Sequence, residues 1–228
     1  MANLHQDILY RISHDLGAPL RHAKNFSSLL SDRYQSSLDE TALDWLRIIG
    51  DSAEKAQTML DGLLTYSRIQ NCDKPKEPFK LDEIWHMVLT QQKEKIQQSN
   101  AKIDSTPLPE IIAVREHWRI LFTELLKNSL LYQPSPQTNP PHIQLSYEIK
   151  AQDLILTFED NGIGIDKKYY DELTTIFRRL HTNEEYPGIG IGLALCEAIT
   201  TYYGGQITFN ASKLGGLAVS CVLPNIIA

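Results

Sequence analysis

Apolar residues recur at steps of three and four through the first seventy positions, the spacing that places them on one face of an α-helix. The first run comprises Leu9, Ile12, Leu16, Leu20, Ala23, Phe26 and Leu30. The second run comprises Leu38, Ala42, Trp45, Ile49, Ser52, Ala56, Met59, Leu63 and Tyr66. These runs predict two long helices joined by a turn at residues 32–37, with Ser37 as the N-cap of the second helix and Glu40 completing a capping box.

The second run alternates steps of four and three without a break, which is the pattern of a heptad seam. A lone hairpin has too little surface to bury a seam of that length. We therefore expect two copies of the chain to form a homodimer in which the two antiparallel hairpins pack as a four-helix bundle.

The pattern changes after the proline-containing stretch at residues 74–78, because proline cannot continue a helix. Shorter segments of strand-like and helix-like pattern then follow one another. The predicted strands are residues 79–81, 110–114, 142–150, 154–159, 206–210 and 217–223. The predicted helices are residues 82–98, residues 116–132, and a third that follows residues 188–193 and runs to about residue 203. The sequence therefore predicts an α+β protein with a helical hairpin at residues 1–73 and an α/β sandwich at residues 74–228.

Composition narrows the class of protein. The chain of 228 residues has a net charge of -6 and lacks a basic stripe, which argues against nucleic acid as a partner because phosphate contacts need clustered Lys and Arg. Its three cysteines are widely spaced and favour a reducing compartment. Neither a signal peptide nor an apolar run of the roughly 20 residues that cross a bilayer is evident. We expect a cytoplasmic core, with any membrane or sensory domain elsewhere on the parent chain or on a partner.

His14 lies off the apolar stripe of the first helix, about 200° around the helix axis from Ile12 and Leu16, so its imidazole is expected to face solvent. A nucleophilic imidazole needs one ring nitrogen free to attack and the other held by an acceptor that stabilises the developing positive charge. Asp15 can supply that acceptor, and Pro19 weakens the helical hydrogen-bond ladder nearby. Taken alone, a helical histidine is more often solvated or structural.

Two segments in the second half carry side chains suited to a nucleotide. Glu124 and Asn128 lie one turn apart on one face of a predicted helix, and the amide oxygen of Asn128 suits Mg²⁺. Asp160 follows a predicted strand and can accept a hydrogen bond from an adenine amino group, while Gly162 and Gly164 allow a close approach of the backbone. The same glycine segment is also a common turn sequence.

A second glycine segment, residues 188–193, precedes a predicted helix that runs to about residue 203, and the first N–H groups of such a helix favour phosphate. Its candidate contacts are Gly188, Gly190, Gly192 and Leu193. Arg179, in the loop before it, is a further candidate for a phosphate contact, although exposed cations are usually solvated. The spacing also matches a dinucleotide fingerprint, but no predicted strand leads directly into it.

The run Ser13-His14-Asp15-Leu16, Pro19-Leu20, the segment 124–128 and the two glycine segments stand in the order found in sensor histidine kinases, and the chain resembles the catalytic core of that family. Around His14 it is most similar to the phytochrome-like branch. The resemblance implies a dimerisation and phosphotransfer hairpin followed by an ATP-binding domain of the Bergerat type. It implies His14 as phosphoacceptor, Asp15 as its base, Asn128 as the Mg²⁺ ligand and Tyr132 as an aromatic residue near the triphosphate.

The activity that this resemblance implies is that of an ATP-dependent protein histidine kinase. MgATP would phosphorylate His14, and the phosphoryl group would pass to an aspartate on the receiver domain of a response regulator.

Three residues depart from the family pattern. Gly17 and Leu131 stand where basic residues are common, and Ile189 replaces a common threonine. These departures support an alternative in which the chain is a dimeric nucleotide-binding pseudokinase scaffold. Glu124 supports another, an ATPase in which His14 is incidental, because related ATPases of the gyrase kind use a nearby glutamate to activate water.

Overall fold

The computed structural model describes residues 2–134, 139–182 and 185–228, with residues 2–14 described by their backbone alone. The chain divides into two compact units, Met1–Asn71 and Cys72–Ala228. Among the described residues, no helix is both long and apolar enough to cross a membrane.

The first unit is a hairpin of two helices, α1 (Ala2–Tyr34) and α2 (Glu40–Gln70). The helices run antiparallel, since Gly17 lies against Gln57 near one end of the hairpin and Ser27 lies against Gly50 nearer the turn. Both predicted helices are therefore present, with the connection between them at residues 35–39.

The cap of α2 differs from the prediction. Asp39 is the N-cap, and its carboxylate accepts a 2.7 Å hydrogen bond from the Ala42 N–H. Ser37 instead lies in the preceding turn, where its N–H donates to the Tyr34 carbonyl. The predicted Ser37 cap is wrong because the turn extends two residues further and uses Ser37 for its own hydrogen bond.

One hairpin leaves much of its apolar surface exposed. Trp45 and Phe26 remain 65% and 62% exposed. Further large apolar side chains of the hairpin with high exposure are Leu16, Leu29, Leu30, Tyr34, Ile48 and Ile49. The side chain of His14, predicted to face solvent, lies outside the described side chains, whereas its backbone belongs to α1.

The second unit combines helices with a five-stranded and a two-stranded sheet. Its helices are α3 (Leu81–Gln91), α4 (Lys93–Gln98), α5 (Arg115–Leu131) and α6 (Gly192–Tyr202), with a 3₁₀ helix at Lys167–Glu172. Its strands are β1 (Glu77–Lys80), β2 (Lys102–Ser105), β3 (Glu110–Ala113), β4 (His142–Lys150), β5 (Asp153–Asp160), β6 (Gln206–Ala211) and β7 (Leu217–Pro224).

Strands β1 and β3 form the antiparallel two-stranded sheet, and the larger sheet has the order β2-β4-β5-β7-β6. Only the β2–β4 pair in it is parallel. The α+β class predicted from the sequence is confirmed. Strand β2 was not predicted, because it has four residues and one apolar side chain, Ile103. The predicted helix 82–98 is two helices, since the backbone leaves the helical region at Gln92 (φ -98°, ψ 9°).

Three aromatic side chains attach the helices to the sheet. Trp85 of α3 packs edge-on against Phe122 of α5 and Phe158 of β5, with ring centroids 5.4 and 5.5 Å apart. All three are almost completely buried. Aromatic pairs of this geometry add about 0.5–1.5 kcal/mol beyond the burial of their area. This packing holds α5 and α3 against β5, at whose end the candidate site lies.

Candidate nucleotide-binding site

Asp160, the last residue of β5, has a carboxylate held in one orientation. Its Oδ1 accepts hydrogen bonds from the backbone N–H groups of Gly162 and Leu217, both at 3.0 Å. Its Oδ2 accepts one from the Ser129 hydroxyl at 3.1 Å. Burial raises the pKa of the Asp160 carboxyl group, and these three hydrogen bonds oppose part of that rise. Because a carboxylate oxygen has two lone pairs, Oδ2 retains capacity for a second donor.

The glycine segment after Asp160 is tied to the end of α5. The Ile163 N–H donates to the Tyr132 carbonyl at 3.0 Å. A Cβ on Gly162 would stand 2.3 Å from that same carbonyl oxygen, so only glycine fits. Gly164 has a positive φ of 64°, which glycine adopts at little cost. The backbone of this glycine segment therefore packs closely on Tyr132, the C-cap of α5.

Gly216, which the sequence did not point to, completes the support of Asp160. Its N–H donates to the Asp160 carbonyl at 3.0 Å. A Cβ at this position would lie 2.1 Å from Asp160 Oδ1 and 2.4 Å from the Gly162 nitrogen. The turn between β6 and β7 thus packs directly on the carboxylate. The only signal in the sequence was the Gly215-Gly216 pair just before the last strand.

Ser129 was also missed, although it directly follows Asn128 in the segment that the sequence singled out. It is buried, and its hydroxyl bonds to Asp160 across 31 positions of sequence. A serine inside a predicted helix carries no local sign of such a partner. Its role depends on where β5 ends beside α5, which only the tertiary structure supplies.

Glu124 and Asn128 face the start of α6, as a shared face predicts. A Cβ on Gly192 would lie 2.8 Å from Glu124 Oε2 and 3.7 Å from Asn128 Nδ2, so both side chains border the second glycine segment. Glu124 also pairs with Lys127 at 3.2 Å. Within the described ranges, the Asn128 carboxamide makes no hydrogen bond, so its oxygen remains available.

The second glycine segment is shaped by one tight contact. Gly190 has a φ of 73°, and its Cβ would collide with the Arg178 carbonyl at 2.6 Å. Its own carbonyl accepts from the Phe177 N–H at 2.8 Å. Gly188 is exposed, and Leu193 is the second residue of α6. The N-cap of α6, Ile191, gives no side-chain cap, so the first N–H groups of this helix are not consumed in that way.

The loop before this segment folds back on itself. The Arg179 guanidinium donates to the carbonyls of Thr182 and Tyr186. The Tyr186 ring packs on Tyr132 with centroids 5.1 Å apart, and its hydroxyl donates to the Gln133 carbonyl at 2.9 Å. Burial raises the pKa of the Tyr132 hydroxyl. Arg179 and Tyr132, both predicted to lie near phosphates, thus belong to one cluster at the end of α5.

In the helical unit, Asp15 is exposed and adjoins His14 in α1. Pro19 lies inside this helix and supplies no N–H to the helical ladder. Gly17 is buried against α2, and a Cβ there would lie 3.0 Å from Arg21 Nη1. A cationic side chain therefore occupies the space beside the glycine that departs from the family pattern.

Comparison with known proteins adds to this geometry. Residues 113–226 match the sequence model of the histidine kinase-, DNA gyrase B- and HSP90-like ATPases, and residues 4–72 match that of the His Kinase A (phospho-acceptor) domain. The chain is 31% identical over 198 residues to the phytochrome-like protein Cph1 of Synechocystis, covering 87% of this chain and 26% of that protein. It is 33% identical over 209 residues to cyanobacterial phytochrome A of Nostoc, covering 90% and 26%. The chain thus spans about a quarter of the length of these curated relatives.

Two solved structures share the fold. Full-length ShkA in complex with AMPPNP superposes with a TM-score of 0.70 at 16% identity, covering 97% of this chain and 46% of that one. The histidine kinase ThkA in complex with the response regulator protein TrrA gives a TM-score of 0.61 at 18% identity, covering 99% and 64%. The matches to both sequence models, in the order phosphoacceptor domain and then ATPase domain, mean that this chain belongs to the sensor histidine kinase family.

Proposed function

We propose that this chain is the catalytic core of a two-component sensor histidine kinase. It binds ATP in the second unit, transfers the γ-phosphoryl group to His14, and passes it on to an aspartate of a response regulator. The observation that carries the proposal is the position of two adjacent residues of α5. Ser129 holds Asp160, while Asn128 borders Gly192 at the start of α6. An adenine acceptor and a phosphate-favouring helix start are thereby joined through neighbouring residues.

Adenine recognition rests on Asp160. The carboxylate is fixed by two backbone N–H groups and one hydroxyl, and it has capacity left to accept a hydrogen bond from the exocyclic amino group of adenine. A fixed acceptor discriminates against a base that presents a carbonyl at that position, because two acceptors would face each other without a proton. The AMPPNP complex of the structural relative ShkA agrees with a nucleotide of this kind.

The residues present fit a magnesium ion shared with the triphosphate. Mg²⁺ prefers oxygen ligands and keeps several waters, so one protein amide together with phosphate oxygens suffices. Asn128 would hold it, and no cluster of three or more His, Cys, Asp or Glu side chains suited to a metal occurs in the described part of the chain. When bound, the ion neutralises charge on the β- and γ-phosphates.

His14 and Asp15 would perform the transfer. One ring nitrogen of His14 attacks the γ-phosphorus in line, and the bond to the bridging oxygen of ADP breaks as the nitrogen–phosphorus bond forms. The imidazole gains positive charge, and the Asp15 carboxylate accepts the proton of the other ring nitrogen. The phosphoimidazole then donates its phosphoryl group to a receiver aspartate, and return of the proton from Asp15 to the ring regenerates neutral His14.

The proposed kinase function also suggests the partners of this chain and its cellular location. The exposed apolar side chains of α1 and α2 support a homodimer of hairpins. The complex of ThkA with TrrA supports a response regulator as the phosphoryl acceptor. Because the chain covers only 26% of each of these relatives, we place a sensory domain on the parent chain or on a partner. We place the core itself in the cytoplasm, where ATP and response regulators are found.

The test is transfer of label from γ-labelled MgATP, with intact mass as a second readout. We expect one acid-labile phosphoryl group on the wild-type chain and none on His14→Gln. Asp160→Asn should lose both the label and ATP binding, since the acceptor for the amino group becomes in part a donor. Phosphate release that persists in His14→Gln but not in Glu124→Gln would make the chain an ATPase. ATP binding without label or release would make it a scaffold.

A further inference from the structure

The segment that follows α2 is held on the second unit by aromatic side chains. We call Tyr202, Tyr203 and His117, where the end of α6 meets the start of α5, the aromatic clamp. Lys76 Nζ lies 5.5 Å from the Tyr202 ring centroid and 5.0 Å from that of Tyr203, within the range of cation–π attraction. The Tyr202 hydroxyl donates to the Cys72 carbonyl at 3.2 Å. Cys72 and Lys76, four residues apart, are therefore both attached to the aromatic clamp.

The clamp is rigid because its inner members are buried and hydrogen-bonded. The Tyr203 hydroxyl accepts from the Val114 N–H at 2.9 Å and is hydrogen-bonded to His117 Nδ1 at 3.2 Å. The His117 ring packs edge-on against Tyr202 with centroids 4.8 Å apart. Burial lowers the pKa of His117 to about 4, so the ring is neutral near pH 7 and does not repel Lys76.

Both sides of this segment are also fixed. The end of α2 is capped by Asn71, whose backbone N–H and side-chain amide both donate to the Ser67 carbonyl, at 3.1 and 2.9 Å. Strand β1 begins at Glu77 and pairs with β3. Between them, Pro75 restricts its own backbone and that of the residue before it. With Cys72 and Lys76 attached to the clamp, the backbone left without such restraint is the junction of Asn71 and Cys72.

We propose that Lys76 and Tyr202 are positioning residues for phosphoryl transfer. By holding residues 72–76 on the second unit, they confine the flexible joint between the two units to residues 71 and 72. This inference rests on the proposed function, since it concerns transfer from bound ATP to His14. A short joint keeps the effective concentration of one unit near the other high, and release of residues 72–76 lengthens the tether.

The test uses the full chain and separates binding from transfer. Lys76→Met keeps the length of the side chain and removes its charge, and Tyr202→Phe keeps the ring and removes the hydrogen bond to Cys72. With Lys76→Met we expect single-turnover phosphorylation of His14 at saturating MgATP to slow about 3- to 10-fold, with the Kd for ATP unchanged within about twofold. Amide hydrogen exchange at residues 72–77 should rise in both variants.

Lys76→Arg should restore the rate, because a guanidinium also stacks on aromatic rings. Lys93→Met is the matched control, as Lys93 is exposed on α4, away from the segment. Unchanged or faster transfer in Lys76→Met overturns the inference, as does a parallel loss of ATP affinity. A wild-type chain that takes no label on His14 contradicts the proposed function instead, while the exchange at residues 72–77 still reports whether the clamp holds the segment.

Discussion

The Ser129 hydroxyl donates a 3.1 Å hydrogen bond to Oδ2 of Asp160, the carboxylate oxygen that the backbone N–H groups leave open. The contact joins the last turn of α5 to the end of β5. It fixes the orientation of the carboxylate and helps to keep it ionised against the effect of burial. Ser129 of α5 thus helps to set the orientation and the charge of the Asp160 carboxylate, the group proposed to recognise adenine.

Substitution of Ser129 by alanine should therefore weaken ATP binding. A hydrogen bond to a charged group contributes about 1.5–3 kcal/mol, and if half of that appears in binding, the Kd rises about 4- to 13-fold. Isothermal titration calorimetry with ATP measures the change. Thr123→Val is a matched control on the same helix, because the buried Thr123 hydroxyl has no hydrogen-bond partner among the described residues. Equal affinities of Ser129→Ala and wild type would refute a role for this hydroxyl.

Gly216→Ala should abolish nucleotide binding and destabilise the second unit. The added Cβ would overlap both Asp160 Oδ1 and the Gly162 nitrogen, so the turn between β6 and β7 must move off the carboxylate. We expect a loss of at least about 2 kcal/mol in the free energy of unfolding, typical of overpacking, together with a loss of ATP affinity. Urea unfolding and calorimetry measure the two effects.

Comparison of Gly215→Ala with Gly216→Ala distinguishes the effect of a collision with Asp160 from the effect of backbone strain in the turn. Gly215 has a φ of 109°, which disfavours alanine, but its Cβ would meet no atom within 4 Å. It should lose stability and keep ATP affinity. Similar affinity losses in the two variants would mean that the strain of the turn, and not contact with Asp160, governs binding.

His117 should make the stability of the second unit depend on pH. Burial lowers its pKa from 6.5 to about 4 in the fold, so the folded state favours the neutral ring. Its contribution is fully present above the unfolded pKa and is lost as the pH falls through the folded pKa. Between pH 6.5 and about 4 the unfolded chain binds more protons, and up to about 3 kcal/mol is lost.

The measurement is the free energy of urea unfolding from about pH 7 to about pH 4.5 for wild type and His117→Gln. Glutamine can still form a hydrogen bond with the Tyr203 hydroxyl and does not titrate. Carboxylates titrate in both proteins, so the difference between the two curves isolates His117. Parallel curves would show that His117 is not kept neutral by the fold.

Ile48→Gln should weaken the proposed homodimer. Ile48 is 54% exposed on one chain and lies near Trp45 on the outer surface of α2. Full burial of such a side chain contributes about 1.5–3 kcal/mol, and at 54% exposure about half of that remains to be gained in the dimer. A two-fold interface loses this amount twice, so the dimer dissociation constant should rise roughly 15- to 200-fold. Sedimentation equilibrium measures this constant. Arg47→Gln, at an exposed charged position beside it, should change it little, and the same constant for both variants would exclude this face from the interface.

The sequence alone located most of the regular elements. The three-and-four spacing of apolar residues predicted α1 and α2, and the prolines at residues 74–78 marked the change to the α+β unit. Six of the seven strands in the described part of the chain were predicted within two residues at either end, because alternation and turn residues are local signals. The sequence did not predict the N-cap at Asp39, the helix break at Gln92 or strand β2. At each of these places two local conformations are nearly equal in energy, and the sequence pattern does not distinguish them.

The same division holds for the site. The sequence determined which chemical groups are available: the histidine and carboxylate of α1, the amide of Asn128, the carboxylate of Asp160 and the glycine segments. These signals are carried by residue type and short spacing. Only the tertiary structure decided that Ser129 and Gly216 hold Asp160, and that Lys76 rests on Tyr202 and Tyr203. Those contacts join residues dozens of positions apart, so they exist only once the strands have paired and the helices have packed on the sheet.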